Sequence, residues 1–428
     1  MATCPYTVRM DSHPAHPLTP AEGDTARRYD VLIVGGGHSG RHTALALRDG
    51  GYAGSIGLVD AQPDPFYERP PLSKDYVRGE ISEDELQLRP RQTWHDLRID
   101  LILGTPVQDI DASKRIVSTP AGDIGYGRLV WAAGGRARSL ALPGFDAPGV
   151  GSLRTLDDAQ KLRTSLHTGA RIAIVGGGYI GLEVAASARK LGVDVTVLEA
   201  QDRILSRVTS APVSEYLTRI HETAGAEIRT GVTIEGIERE HDRHIVAVAG
   251  GPPVAADAVL VGVGLVPNIE PLQKAGAAID NGILVNEHCE TAIPGIYAIG
   301  DCANRLIDGA RIRVESVPNA TETATIAADA ILGRAPSVTH APWFWSHQYE
   351  LKLQTAGVLT GYDEYVLRGD PDDGRFSVVY LRDGALRAID TIGRVADFAS
   401  GRKLIGHRLV GSVEELADPT TPLKSLFS

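Results

Sequence analysis

Thiols are nearly missing from this chain: Cys4, Cys289 and Cys302 are the three cysteines in 428 residues, and no CxxC or CxxxxC spacing occurs. That excludes a disulfide scaffold, a thiolate metal site and a redox-active dithiol, and no metal is expected. Long apolar runs are missing too. No stretch reaches the roughly 18 residues a membrane helix needs. The leader, residues 1–28, has prolines, histidines and charges in place of an apolar signal core, which points to a cytoplasmic protein with a polar extension. Positive charge is short: 43 Lys and Arg face 54 Asp and Glu, for a formal net charge of −11. Nucleic acid is therefore excluded as a main partner, because a polyanion needs a basic face.

Glycine, by contrast, is plentiful, with 47 residues gathered in short clusters after apolar runs. The run Tyr29–Val34 reads as a buried strand. It leads into Gly35-Gly36-Gly37-His38-Ser39-Gly40, a helix through Leu47, and a second strand, 55–59, ending at Asp60. The pattern returns as strand 171–175, Gly176-Gly177-Gly178-Tyr179-Ile180-Gly181, a helix through Leu191, and strand 193–198 ending at Glu199. In GxGxxG the first glycine makes the turn and the second admits a pyrophosphate. The third lets helix pack on strand, and the helix N-terminus faces the anion. Both copies sit in a full βαβ unit with an acid about 20 residues on, as a dinucleotide fingerprint requires.

Two dinucleotides in one chain imply hydride traffic between them, and nicotinamide to flavin is the useful pairing. FAD is assigned to the N-terminal copy and the nicotinamide to the inner one. Glu199 can hold the ribose diol of NAD and would repel a 2′-phosphate by about 4 kcal/mol at 4 Å and moderate dielectric, so NADH is expected over NADPH. Arg203, four residues on, is the residue that could swing towards a phosphate.

The Pro/Gly-rich stretch 142–155 marks the crossing between the two folds. Further strands are expected at 258–263 and 295–299, the latter closing on Gly300-Asp301, with a helix at 319–332. Beyond Pro336 the texture changes, and 376–381, Asp383-Gly384 and 385–390 read as a hairpin with a type I′ turn. The expected organisation is an extension at 1–28, an FAD-binding domain at 29–148 and 271–335, an NAD-binding domain at 149–270, and an α+β C-terminal domain at 336–428.

The strings YERPPLSK (67–74), LVWAAGG (129–135), GGGYIGLEVAA (176–186), VLEAQDRIL (197–205), GVGLVPN (262–268), YAIGDCA (297–303), VESVPNA (314–320) and PWFWSHQYELKLQ (342–354) resemble the NADH-dependent ferredoxin reductases of oxygenase systems, the putidaredoxin reductase type. The resemblance covers residues 30–428. It implies an α/β protein with two Rossmann-like, glutathione-reductase-like domains and a C-terminal reductase domain. Towards FAD it implies Gly35, Gly37, Ser39 and Gly40 on the pyrophosphate, Asp60 on the ribose, Val107 at the adenine end, and Arg69, Ala133, Gly134 and Arg154 around the flavin. Asp301 would meet the ribityl hydroxyls and Val317 the pyrimidine edge. Lys74 would sit beside flavin N5, paired with Glu183. Gly176, Gly178, Ile180, Gly181, Glu199 and Gly262 would form the NAD cleft, with Glu315 and Trp345 at the nicotinamide, whereas Trp343 reads as core.

There are departures. Ala133 stands where the family has Thr, Asp60 follows its strand at once, and Thr325 stands where a relative carries a docking arginine. The implied function is transfer of electrons from NADH through FAD, one at a time, to a [2Fe–2S] ferredoxin that serves a cytochrome P450 or ring-hydroxylating oxygenase, by a monomer or weak dimer. Docking should use local cations, with Arg89, Arg311, Arg313, Lys352, Arg402 and Lys403 as candidates. A monodehydroascorbate-type reductase and a redox-gated flavoprotein that binds a partner remain as alternatives.

Overall fold

A computed structural model describes residues 27–64, 66–335 and 341–428; the leader before Arg27, with Cys4, lies outside the described residues. The first sheet is built on the strand Arg27–Val34, whose Val31, Leu32 and Ile33 are completely buried. Both faces are covered, which is why the run is apolar without alternation. Its parallel neighbours are Ile56–Val59 on one side and Gly122–Trp131 on the other. The late strand Ile296–Ala298 joins Gly122–Trp131 in parallel, so distant sequence returns to this sheet and brings Asp301 with it. The helices His38–Asp49 and Val317–Ile331 lie against each other on one face.

The inner nucleotide fold is a five-stranded parallel sheet ordered Glu227–Arg229, Asp194–Leu198, Arg171–Val175, Ala258–Val261 and Val150–Gly151. The C-terminal sheet has five antiparallel strands ordered Trp343–Gln348, Leu351–Gly357, Ala385–Ile392, Arg375–Arg382 and Glu364–Asp370. The chain is thus α/β with two Rossmann-like units and a C-terminal α+β unit.

The inner fold packs directly on the C-terminal sheet, with Leu182, Ile204 and Leu217 meeting Leu353, Phe376 and Val378 in one buried cluster. At this seam the fully buried Asp390 accepts from Thr209 at 2.5 Å, Thr355 at 2.5 Å and Tyr380 at 2.6 Å. Burial pushes its carboxyl above the usual range, and the three hydroxyls pull it back.

The hairpin turn sits where expected, with Asp383 at φ 50° and Gly384 at φ 72°, the left-handed pair a type I′ turn needs. The helix expected at 319–332 starts earlier, at Val317. Ser316 caps it by accepting from the Asn319 amide, and Pro318 suits the first turn. The expected strand 258–263 ends at Val261, where the chain turns at Gly262. Among the elements that carried no expectation as secondary structure are the ten-residue strand Gly122–Trp131 and the meander Ile234–Glu240, Arg243–Val248, Val254–Ala256. Glycines at 122, 125 and 127 interrupt the apolar pattern of the first, and exposed charges break up the second.

Candidate functional site

Both glycine turns open on one cavity of about 1820 Å³, larger than the roughly 300–1,000 Å³ of a pocket for a single small ligand. The residues present fit two dinucleotides. Gly35 has φ 105°, and a Cβ there would fall 2.3 Å from the Ala132 carbonyl oxygen. Gly176 repeats this with φ 109° and 2.5 Å to Gly262 O. By contrast, a Cβ on Gly37 or Gly178 would meet nothing closer than 3.9 Å, which leaves the open approach that a pyrophosphate needs.

Gly40 and Gly181 do not line the cavity. They press the helix against its own turn, with a built Cβ at 1.8 Å from Gly35 O and 2.2 Å from Gly176 O. Gly40→Ala and Gly181→Ala are therefore each expected to push the helix off its own turn and to cost dinucleotide binding at that turn. Absorbance of the purified variants and dinucleotide titration check both.

The two acids do the same thing in both folds. Asp60 takes the Gly36 amide at 2.5 Å on one oxygen and the Gln62 amide at 2.6 Å on the other. Glu199 takes Gly177 at 2.7 Å and Gln201 at 2.8 Å. Each follows its strand immediately, so Asp60 occupies the place that Glu199 occupies in the inner fold. Burial raises the Asp60 carboxyl, opposed by its two amide donors.

Between the turns the cavity floor is ionic. Arg154 reaches Asp301 at 3.1 Å and the Gly135 carbonyl at 3.0 Å. Arg69 donates to the Arg154 carbonyl at 2.8 Å, and its deep burial lowers its pKa. Arg313 joins Glu315 at 2.6 Å and the Asp301 carbonyl at 3.0 Å. Ser39, Val107, Ala133, Gly134, Val317, Ile180 and Trp345 all face the same space.

Lys74 and Glu183 meet at the junction of the two clefts. The segment Pro70–Ser73 is a single 3₁₀ turn with proline at its start, and it delivers Lys74 Nζ to 2.5 Å from Glu183 Oε2. Glu183 lies in the helix Tyr179–Lys190, about one turn from its start and two residues beyond the last glycine of the second motif. Nζ is also held by Pro70 O at 3.0 Å and Ser73 Oγ at 3.2 Å. Two partners of Glu183 were not singled out in the sequence: Ser73 Oγ at 2.6 Å and Ser346 Oγ at 2.7 Å. Serine is too common to signal by itself, but the tertiary fold aims both hydroxyls at one buried carboxylate.

Trp343 lies tilted against Trp345 at 5.4 Å and Phe398 at 5.7 Å; it packs, partly buried, against the C-terminal core and also reaches the cavity wall. His38, in the first turn, faces the cavity and contacts Glu68 at 3.1 Å, another feature the sequence did not flag. Of the docking cations, Arg311 spends one amino group on Val285 O at 2.7 Å, and Arg313 is tied to Glu315 and Asp301. Arg311 is nonetheless exposed, whereas the Arg313 charge is compensated by the Glu315 carboxylate. Arg402 lies over the Trp343 ring at 5.1 Å, while Arg89, Lys352 and Lys403 are exposed.

No helix among the described residues is long and apolar enough to cross a membrane. Cys289 and Cys302 are buried and unpaired, and burial pushes both thiols up to about 12, which leaves them inert as nucleophiles.

The sequence matches the family described as pyridine nucleotide-disulphide oxidoreductase over residues 29–324, and that described as reductase C-terminal over 343–427. It is 45% identical to the 5,5'-dehydrodivanillate O-demethylase ferredoxin reductase subunit of Sphingobium sp., across 93% of this chain and 98% of that protein. It is 40% identical to putidaredoxin reductase CamA of Pseudomonas putida, across 93% and 97%. The crystal structure of the covalent putidaredoxin reductase–putidaredoxin complex superposes with a TM-score of 0.88 at 39% identity, covering 94% of this chain and 98% of that one. The chain belongs to the pyridine nucleotide-disulphide oxidoreductase family, with a reductase C-terminal domain, and is an oxidoreductase that binds FAD and NAD(P)H.

Proposed function

We propose that this protein is the NADH-oxidising reductase of an oxygenase system, handing electrons singly to a [2Fe–2S] ferredoxin that serves a cytochrome P450 or a ring-hydroxylating oxygenase. In this reading residues 29–148 and 271–335 hold FAD, 149–270 hold NADH, and 336–428 complete the site. The cytoplasm is its place, in keeping with buried thiols that have no disulfide partner. One observation carries the reading: a buried Lys74–Glu183 pair joins the two nucleotide folds inside a single cavity.

Bound FAD supplies the conversion of a two-electron donor into one-electron steps. The chain's own residues do the rest. The turns at Gly35–Gly37 and Gly176–Gly178, with Ser39, would cradle the two pyrophosphates. Asp60 and Glu199 would hold ribose hydroxyls with the carboxylate edges left over from pinning the turns. Arg69, Arg154 and Asp301 would fix the flavin chain from below, and Val107 and Val317 its two ends. Ile180, Gly262, Glu315 and Trp345 would line the path of the nicotinamide.

Lys74 Nζ is placed to favour negative charge growing beside it, while Glu183 offsets that charge beforehand. Such a pair is costly to bury unless the charge has a use.

The test is NADH-driven reduction of cytochrome c with and without candidate ferredoxins. Strict dependence on a ferredoxin is expected, with a steep loss as salt is added and unchanged NADH–dye activity. Equal rates without any ferredoxin would remove the assigned acceptor.

A further inference from the structure

Glu183 draws on more than the lysine beside it. Ser346 Oγ, its donor from the C-terminal sheet, lies 3.2 Å from Gln348 Nε2. Gln348 Oε1 lies 2.9 Å from His221 Nε2, and His221 Nδ1 lies 3.3 Å from the Tyr349 hydroxyl. The directions follow from the chemistry of the groups. An amide oxygen only accepts, so His221 Nε2 carries the hydrogen. Burial lowers the His221 pKa and so favours the neutral ring, whose Nδ1 offers a lone pair to the Tyr349 proton.

Every donor then points the same way, from Tyr349 to His221, to Gln348, to Ser346, to Glu183. His221 and Ser346 are completely buried and Gln348 is 1% exposed. At these three residues water cannot take a partner's place, while Tyr349 at the start of the run is half-buried; aligned bonds in such surroundings strengthen one another. None of the four residues lines the cavity. The chain links the helix Ala211–Thr223 of the inner fold to the strand Trp343–Gln348 and ends on the one carboxylate paired with Lys74.

We propose that Gln348 and His221 are positioning residues for the Lys74–Glu183 pair: they aim the Ser346 hydroxyl at Glu183 and so set how much negative charge opposes Lys74. The inference rests on the reading above that this pair flanks the flavin ring. Cut the chain and Ser346 is free to turn to another acceptor. Glu183 then holds its charge less firmly, Lys74 is less well offset, and the bound flavin becomes easier to reduce.

The measurement is the midpoint potential of FAD in the holoenzyme, by equilibration with a reference dye, alongside thermal unfolding. Gln348→Leu should raise the potential by the equivalent of about tenfold in the equilibrium with NADH, ~30 mV for a two-electron couple. Tyr349→Phe, which keeps the ring and its packing, should shift it the same way by less, with an unchanged unfolding midpoint. Glu183→Gln, with the acceptor itself altered, should shift it most. If Glu183→Gln moves the potential while Gln348→Leu and Tyr349→Phe do not, the chain is packing only and the proposal falls, with the site reading intact. If Glu183→Gln does nothing either, both fall. Should Gln348→Leu fail to fold, Tyr349→Phe decides the question.

Discussion

Replacing Lys74 by methionine is expected to slow flavin reduction by NADH roughly 100- to 1,000-fold, the loss seen when a single preorganised donor is removed from a developing anion. Flavin content should be unchanged. The cradle made by Gly35, Asp60 and Asp301 touches neither Lys74 nor its partners, and the methionine keeps the apolar stem. Stability should fall as well. Glu183 would keep Ser73 and Ser346 but lose its countercharge, and stranding one member of a buried pair costs about 3–5 kcal/mol. Lys74→Arg, which restores charge without the same fit to Pro70 O and Ser73 Oγ, should recover stability more than rate. Stopped-flow bleaching of the flavin separates the two effects. A wild-type reduction rate in Lys74→Met would take the lysine out of the chemistry.

The second large effect concerns the choice of nicotinamide. Glu199 is pinned at both oxygens by the Gly177 and Gln201 amides, so its charge cannot swing away from an incoming ribose. A 2′-phosphate near 4 Å would be opposed by about 4 kcal/mol at an effective dielectric of 20, an upper bound near a thousandfold. Arg203 does not relieve this. Its Nη2 folds back onto Ser206 O at 3.0 Å, and the side chain does not line the cavity. Arg207 is the exposed cation on that wall. Wild-type kcat/KM should therefore favour NADH by at least about tenfold. Glu199→Gln should narrow the gap by a similar factor, mainly through the KM for NADPH, and Arg207→Ala should reduce whatever NADPH activity exists. Equal efficiency of the wild-type protein with both nucleotides would contradict the assignment.

How much of this was legible in the sequence depends on how local the cause is. The glycine turns could be read because each glycine answers a steric demand set within a few residues of itself. Gly40, for example, faces the carbonyl of Gly35 in its own loop. The Asp383-Gly384 turn could be read for the same reason, since two left-handed residues in succession suit few other pairs. The availability of a docking cation could not be read in this way, because it depends on the partners the fold brings to it: Arg313 is tied to Glu315 and the Asp301 carbonyl, while Arg311, Arg89, Lys352 and Lys403 are exposed.

By itself the amino-acid sequence determined the two nucleotide turns and the acids that follow their strands, since backbone sterics act over short range. It named the Lys74–Glu183 pair only through resemblance to known reductases. That Ser73, from the first fold, and Ser346, from the last, converge on Glu183 was decided by the tertiary structure alone. So was the run of donors from Tyr349 that ends there. A hydroxyl or an amide is ordinary until burial removes water as its alternative partner, and burial belongs to the packed molecule, not to any stretch of its chain.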